Sequence, residues 1–208
     1  MRVNNLQAKT RKRYKVTTLS RHEYSVQPNL LNKNFNCNCP DHVWVSDITY
    51  IRVGRQWLFL AAIMDLFSRK VVGWALADHM REGLILQALE MAVSHRSPDR
   101  NTVLHSDRGV QYRGNEYQAA LSQYGLRCSM SRQGNCWDNA VMESFFSRLK
   151  VELIYAENYK TMETARTGIF EYIEMFYNRQ RKHSALGYFR PGTFEQQHAA
   201  ITVSTFRG

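Results

Sequence analysis

Three acidic residues in this chain sit where a charge needs a reason. Asp47 interrupts "VWVSDITYIRV", residues 43–53, a run of β-branched and aromatic residues in which a carboxylate is disfavoured unless it faces a wet cleft. Asp107 follows "TVLHS" in "LHSDRGVQY", at the carboxyl end of an expected strand, where ligand sites collect in sheets with parallel pairs. Glu143 lies in "CWDNAVMESFFSRLK", where Met142, Phe146, Leu149 and Leu153 recur at helical spacing and Asp138 or Asn139 is placed to cap the helix. Glu143, Ser147 and Lys150 form a second stripe beside the apolar one. By itself Glu143 reads as a solvated helix residue, and only partners elsewhere would give it another role. Asp65, Asp78 and Asp99 fall in turns or links, where hydration accounts for them.

If the strand before Asp107 lies beside the strand of Asp47, the two aspartates become neighbours. Three carboxylates that meet without fixed cations repel one another, and the natural relief is a divalent metal. Hard oxygen ligands select Mg²⁺ or Mn²⁺ over zinc. Two such ions about 3.5–4 Å apart clamp the attacking and leaving oxygens of an in-line phosphoryl displacement. Charge and periodicity therefore point to metal-dependent phosphoryl transfer on nucleic acid.

Composition is consistent with that substrate. The chain has 208 residues and a net charge of +10, an excess that usually means a polyanionic partner. The charge is uneven: Arg2, Lys9, Arg11, Lys12, Arg13, Lys15 and Arg21 crowd residues 1–22 with no acidic residue among them, as in a phosphate-binding arm or a disordered tail. The longest apolar run, "WLFLAAIM", is far short of the roughly 20 residues needed to cross a bilayer. The basic first twenty residues carry no apolar signal core, so the expectation is a cytoplasmic protein with no membrane partner. Cys37, Cys39, Cys128 and Cys136 lack the spacing of a structural zinc site and read as reduced thiols.

The elements that must position the carboxylates follow one another without internal repeat. Residues 43–53, 57–64 and 70–77 read as three strands joined by tight turns, and Leu84, Ile85, Ala88, Leu89 and Ala92 give residues 82–94 helical spacing. A strand at 102–106, a helix at 115–124, a strand at 126–130 and the helix of Glu143 complete a β-β-β-α-β-α-β-α order. That order implies an α/β fold with a mixed five-stranded sheet flanked by helices. A further amphipathic helix is expected over 162–181, with Tyr172, Phe176 and Tyr177 in the core, and "LGYFRPGTFE" reads as a turn-rich close.

The segments "WVSDITYI", "MDLFSRKVVGW", "HSDRGVQY", "SMSRQGNCWDNAVMESFFSRLKVEL" and "YNRQRKHSALGYFRPGTFE" resemble the catalytic subunit (OrfB) of the IS-three family of bacterial insertion-sequence transposases. The 35 residues between Asp107 and Glu143 look like the spacing of the wider group of DDE transposases and retroviral integrases. The resemblance implies a ribonuclease H-like fold. It also implies metal-dependent DNA strand cleavage and 3′-OH strand transfer at insertion-sequence ends, with Asp47, Asp107 and Glu143 as catalytic metal ligands for Mg²⁺ or Mn²⁺. Lys150 matches the family's basic residue seven positions after the glutamate, which holds the element's terminal DNA. At ~1.5 Å rise per residue it stands about 10.5 Å along the helix from Glu143, within reach of a flanking phosphate. Arg179, Arg181, Lys182 and His183 are candidates to line the DNA path, while His105 and Ser106 suit packing or hydrogen bonding beside the site.

The implied organisation is a basic N-terminal arm, residues 1–35, resembling the end of a region that follows a helix-turn-helix in the family. An integrase-type core with a C-terminal helix, 36–195, and a tail, 196–208, come after it. Implied partners are element-end and target DNA, further copies of the chain assembled on that DNA, and an upstream-frame helix-turn-helix protein. The alternative from another class is a non-catalytic DNA-binding remnant that regulates an intact transposase.

Overall fold

The structure, a computed structural model, describes residues 26–32, 34–132 and 136–205. The basic segment 1–22 and the last residues of the expected tail lie outside the described residues.

Five strands form one mixed sheet in the order β3-β2-β1-β4-β5. β1 (Val43–Val53), β2 (Gln56–Asp65) and β3 (Val71–Ala77) form an antiparallel meander. β4 (Val103–Ser106) and β5 (Arg127–Met130) then add parallel to β1. Each parallel step needs a crossover, and α1 (Glu82–Arg96) and α2 (Asn115–Gln123) supply them. The mixed sheet flanked by helices expected from the sequence is therefore the observed one.

Helices cover both faces because both faces of the central strands are apolar. On one side Trp44, Ala61, Ile63 and Leu104 pack against Leu84, Ile85, Ala88, Leu89 and Ala92 of α1 and Tyr117 and Leu121 of α2. Gly73 of β3 permits the close approach of α1: a Cβ there would overlap the Ala88 carbonyl oxygen and stand 2.7 Å from Ala92 Cβ. On the other side Val45, Ile51, Leu60 and Met64 meet Met142, Phe146 and Leu149 of α3 (Ala140–Leu149) and Ile169 of α5 (Met162–Phe170).

The helix of Glu143 keeps its apolar stripe, but Asn139 precedes it without a side-chain cap. The buried Asp138 is drawn elsewhere, accepting Arg132 N at 2.8 Å and Nε at 3.1 Å and Asn29 Nδ2 at 3.0 Å. After Leu149 the helix widens into a π-helical segment, Lys150–Ile154, and runs into α4 (Tyr155–Glu157). α5 likewise continues as a π segment, Glu171–Tyr177. Tyr172 and Tyr177 are core, as expected, whereas Phe176 is 39% exposed because the π segment turns it outward. The turn-rich close gives way to α6 (Pro191–Thr205), with proline at its first position, where its missing N–H and fixed φ suit a helix start.

Asp65 also departs from expectation. Hydration does not account for it, since it is fully buried and accepts Asp41 N at 3.0 Å, Ser68 N at 2.9 Å and Ser68 Oγ at 2.7 Å. It ties the β2–β3 turn together.

Candidate active site

Strand register brings the two aspartates together. β1 pairs with β4 at Val43↔Val103, Trp44↔Leu104 and Val45↔His105. Continuing that register by two residues sets Asp47 opposite Asp107, just past the end of β4. α3 packs across β1 and carries Glu143 in its first turn. All three carboxylates are partly exposed at this corner of the fold.

Their electrostatics follow from the placement. Burial pushes the Asp47 carboxyl well above the usual aspartate range, and the Asp107 and Glu143 charges push it further. The Ile48 N–H, 2.7 Å from Asp47 Oδ1, and the charge of Lys150 act against this. Asp107 is raised by burial as well, against the Gly109 N–H at 2.8 Å and the nearby Arg113. The site thus concentrates negative charge where water is partly excluded. Among the described residues no set of three His, Cys, Asp or Glu side chains stands close enough to hold a metal ion as placed. The donor chemistry nonetheless fits a divalent cation, because the neighbouring carboxylate charges that push Asp47 up are relieved by added positive charge.

Lys150, expected to reach a flanking phosphate, is largely buried. It is 7% exposed, and its Nζ stands 4.9 Å from the centre of the Tyr50 ring of β1. Burial lowers its pKa while Asp47 holds it up. Among the described residues β4 pairs with only the first three residues of β1, so no described strand covers the edge of β1 beyond Val45.

Polar neighbours stiffen the floor of the site. Ser46 Oγ and Tyr112 Oη are 3.0 Å apart and buried, and Asn139 Nδ2 donates to Ser46 O at 3.4 Å. His105 Nδ1 pairs with Ser129 Oγ at 2.8 Å, and Ser106 Oγ donates to the Asp107 carbonyl at 3.0 Å, the supporting roles their sequence positions suggest. Arg113 escaped the sequence reading. It is buried, and its charge counters that of Asp107 from six positions downstream in a short 3₁₀ turn, a spacing that carries no motif.

The four basic residues after α5 divide. Arg179 and Lys182 are exposed. Arg181 is engaged by Glu152, with Nη2 2.8 Å from Oε1 and Nε 3.0 Å from Oε2. His183 lines a cavity of about 270 Å³ with Arg69, Ser144, Arg148 and Ser184, and burial followed by the neighbouring arginines lowers its pKa. Cys37, Cys39 and Cys128 are free thiols, with burial pushing Cys37 up to about 11.

Fold and site together define an integrase-type core of ribonuclease H-like architecture. Two family profiles described as integrase core domain match residues 38–136 and 124–191. The chain is 42% identical over 200 residues to transposase InsF for insertion sequence IS3A of Escherichia coli (strain K12), covering 96% of this chain and 69% of that protein. It is also 42% identical over 193 residues to an uncharacterized 31 kDa protein of insertion element IS600 from Shigella sonnei, covering 93% of this chain and 71% of that one. The chain belongs to the IS3 family of DDE transposases.

Solved structures agree on the fold. The catalytic core domain of HTLV-2 integrase in complex with magnesium superposes with a TM-score of 0.60 at 15% identity, covering 77% of this chain and 99% of that one. A simian T-cell lymphotropic virus intasome chain gives 0.59 at 19% identity, covering 77% and 53%. Among the described residues no helix is long and apolar enough to cross a membrane.

Proposed function

We propose that the chain catalyses metal-dependent DNA strand cleavage and 3′-OH strand transfer at insertion-sequence ends, with residues 36–195 as the catalytic unit. The observation that supports this is the parallel β1–β4 pairing, which ends at Val45↔His105 two residues short of both aspartates, together with the Asp107 and Glu143 charges that reach Asp47. The HTLV-2 integrase core, solved in complex with magnesium, supports the choice of cation.

Asp47, Asp107 and Glu143 would hold Mg²⁺ or Mn²⁺, as two ions in this reading. Bound there, the cations supply Lewis-acid polarisation of a phosphate oxygen and a water acidified enough to attack phosphorus. The carboxylates orient that charge against the sheet. Ser46, Tyr112 and Asn139 keep β1 and α3 in place behind them. Lys150 neutralises a phosphate beside the scissile one. Hydrolysis adds the water oxygen to phosphorus and releases a 3′-OH. That hydroxyl then attacks a target phosphodiester, a second 3′ oxygen leaves, and no covalent protein intermediate forms. Arg179, Lys182 and His183 line the DNA path, joined by Arg181 where DNA displaces Glu152. Copies of the chain assemble on paired ends, and an upstream-frame helix-turn-helix partner recognises their sequence.

The test is strand transfer with labelled element-end duplex and Mg²⁺. Wild type is expected to join ends to target DNA, and Asp47→Asn, Asp107→Asn and Glu143→Gln each to abolish cleavage and joining while still binding duplex. Normal turnover by any of the three variants removes that residue from the site. Binding without turnover by wild type favours the regulatory remnant.

A further inference from the structure

One face of the β1–β2 hairpin changes character along its length. Trp44 and Ile63 are fully buried under α1, Ile48 and Phe59 are half-buried, and beyond them Tyr50 is 41% and Trp57 43% exposed. The two exposed rings meet edge-on, with centroids 5.3 Å apart and planes at 83°, forming an aromatic corner. Cations flank it on both sides. The Arg52 guanidinium, held by a 2.9 Å bond from Nε to Gly54 O, stands 5.0 Å from the Trp57 ring, and Lys150 Nζ stands 4.9 Å from the Tyr50 ring. Tyr50 follows Asp47 by three residues along β1, so strand alternation sets the corner on the opposite face of the sheet from that carboxylate, and Lys150, in contact with the Tyr50 ring and within the field of Asp47, links the two.

A cross-strand aromatic pair stabilises a hairpin by packing. Packing alone gives no reason to leave two large rings exposed beside two cations, one of which also feels the charge of Asp47. Bases present a flat π-face to aromatic rings whatever their sequence, while the adjoining phosphates call for cations. We infer that Tyr50 and Trp57 form a stacking platform for an unpaired nucleobase of the DNA end, with Arg52 and Lys150 on the phosphates beside it. The inference rests on the DNA reading above and adds the recognition of unpaired rather than duplex DNA.

Fluorescence anisotropy in EDTA, where no strand is cut, separates the two ideas. The probes are a blunt duplex and the same duplex with a three-nucleotide single-stranded overhang. Trp57→Ala is expected to weaken overhang binding about tenfold, within the range of stacking contributions per base, and to leave blunt-duplex affinity within about twofold. Trp57→Phe, which keeps a stacking face, restores most of the loss. Tryptophan emission supplies a readout independent of folding in the alanine variant: the overhang probe quenches wild type more than the blunt probe does, and Trp57→Phe abolishes that difference. Equal losses on both probes, or no overhang-specific quenching, overturn the platform alone. A wild-type protein that binds neither probe overturns the DNA reading with it.

Discussion

The Arg96 guanidinium grips the Glu195 carboxylate at two points, Nη1 to Oε2 at 2.9 Å and Nη2 to Oε1 at 2.8 Å, and so ties α6 to α1. Lys70 Nζ binds the same carboxylate at 3.2 Å, Ser68 Oγ stands 2.7 Å from it and shares its one proton between it and Asp65, and Arg96 Nε reaches Asp41 at 2.8 Å. A mostly buried charge network of this kind is costly to break at one member.

Stability should therefore carry the signature of Glu195. Burial raises its pKa, but the hydrogen bonds from Arg96 and Ser68 and the charges of Arg96 and Lys70 outweigh burial and bring it below the ordinary range. A carboxylate with a depressed folded pKa stabilises fully above its unfolded value, about 4.3, and loses that contribution as pH falls through the folded value. Glu195→Gln is expected to cost about 3 kcal/mol at pH 7, lowering Tm by roughly 6–12 °C. The gap between variant and wild type should close toward pH 3 in thermal melts. A gap of constant size at both pH values would mean that the carboxylate's charge is not what holds α6.

Asp47 has the opposite sign. Its carboxyl is raised by burial, then by Asp107 and Glu143, so the folded state without metal loses stability as pH rises past the unfolded value of about 3.9. Asp47→Asn should raise the Tm of the metal-free protein at pH 7. It should also erase the stabilisation that millimolar Mg²⁺ or Mn²⁺ gives wild type. A thermal shift with metal as large in the variant as in wild type would exclude Asp47 as a ligand.

Two glycines test the packing of α1 on the sheet. Gly73→Ala forces a methyl into the Ala88 carbonyl and should destabilise by about 3 kcal/mol. At Gly83, inside α1, a methyl would meet no atom within 4 Å, and Gly83→Ala should stabilise by about 0.5–1 kcal/mol through helix propensity. Urea melts of both variants check the pair, and equal midpoints would refute the close approach at β3.

Lys150 and Arg181 should separate in DNA binding. Removing a phosphate contact lowers the slope of log affinity against log salt by about 1, so Lys150→Ala should weaken duplex binding and flatten that slope. Arg181 is occupied by Glu152, which also accepts Tyr172 Oη at 2.7 Å, so Arg181→Ala should lower Tm more than it changes the slope. A steep loss of slope in Arg181→Ala would show that DNA displaces Glu152.

The sequence by itself determined the order of the sheet strands and the helices between them, and it singled out the two aspartates as candidates. Alternation and helical spacing are local properties, so Val43–Val53, Glu82–Arg96 and Val103–Ser106 stand close to where the residues place them. A carboxylate within an apolar strand is conspicuous wherever the strand ends up, and Asp47 stood out for that reason. Only the tertiary structure decided what pairs across long separations. Burial of Asp65, the opposition of Arg113 to Asp107 and the clasp of Arg96 on Glu195 depend on neighbours that no local pattern names. The turn of Lys150 toward Tyr50 has the same origin. Its helical stripe fixed only the side of α3 it occupies, while the widened turn after Leu149 and the edge of β1 that no described strand covers determined what it meets there.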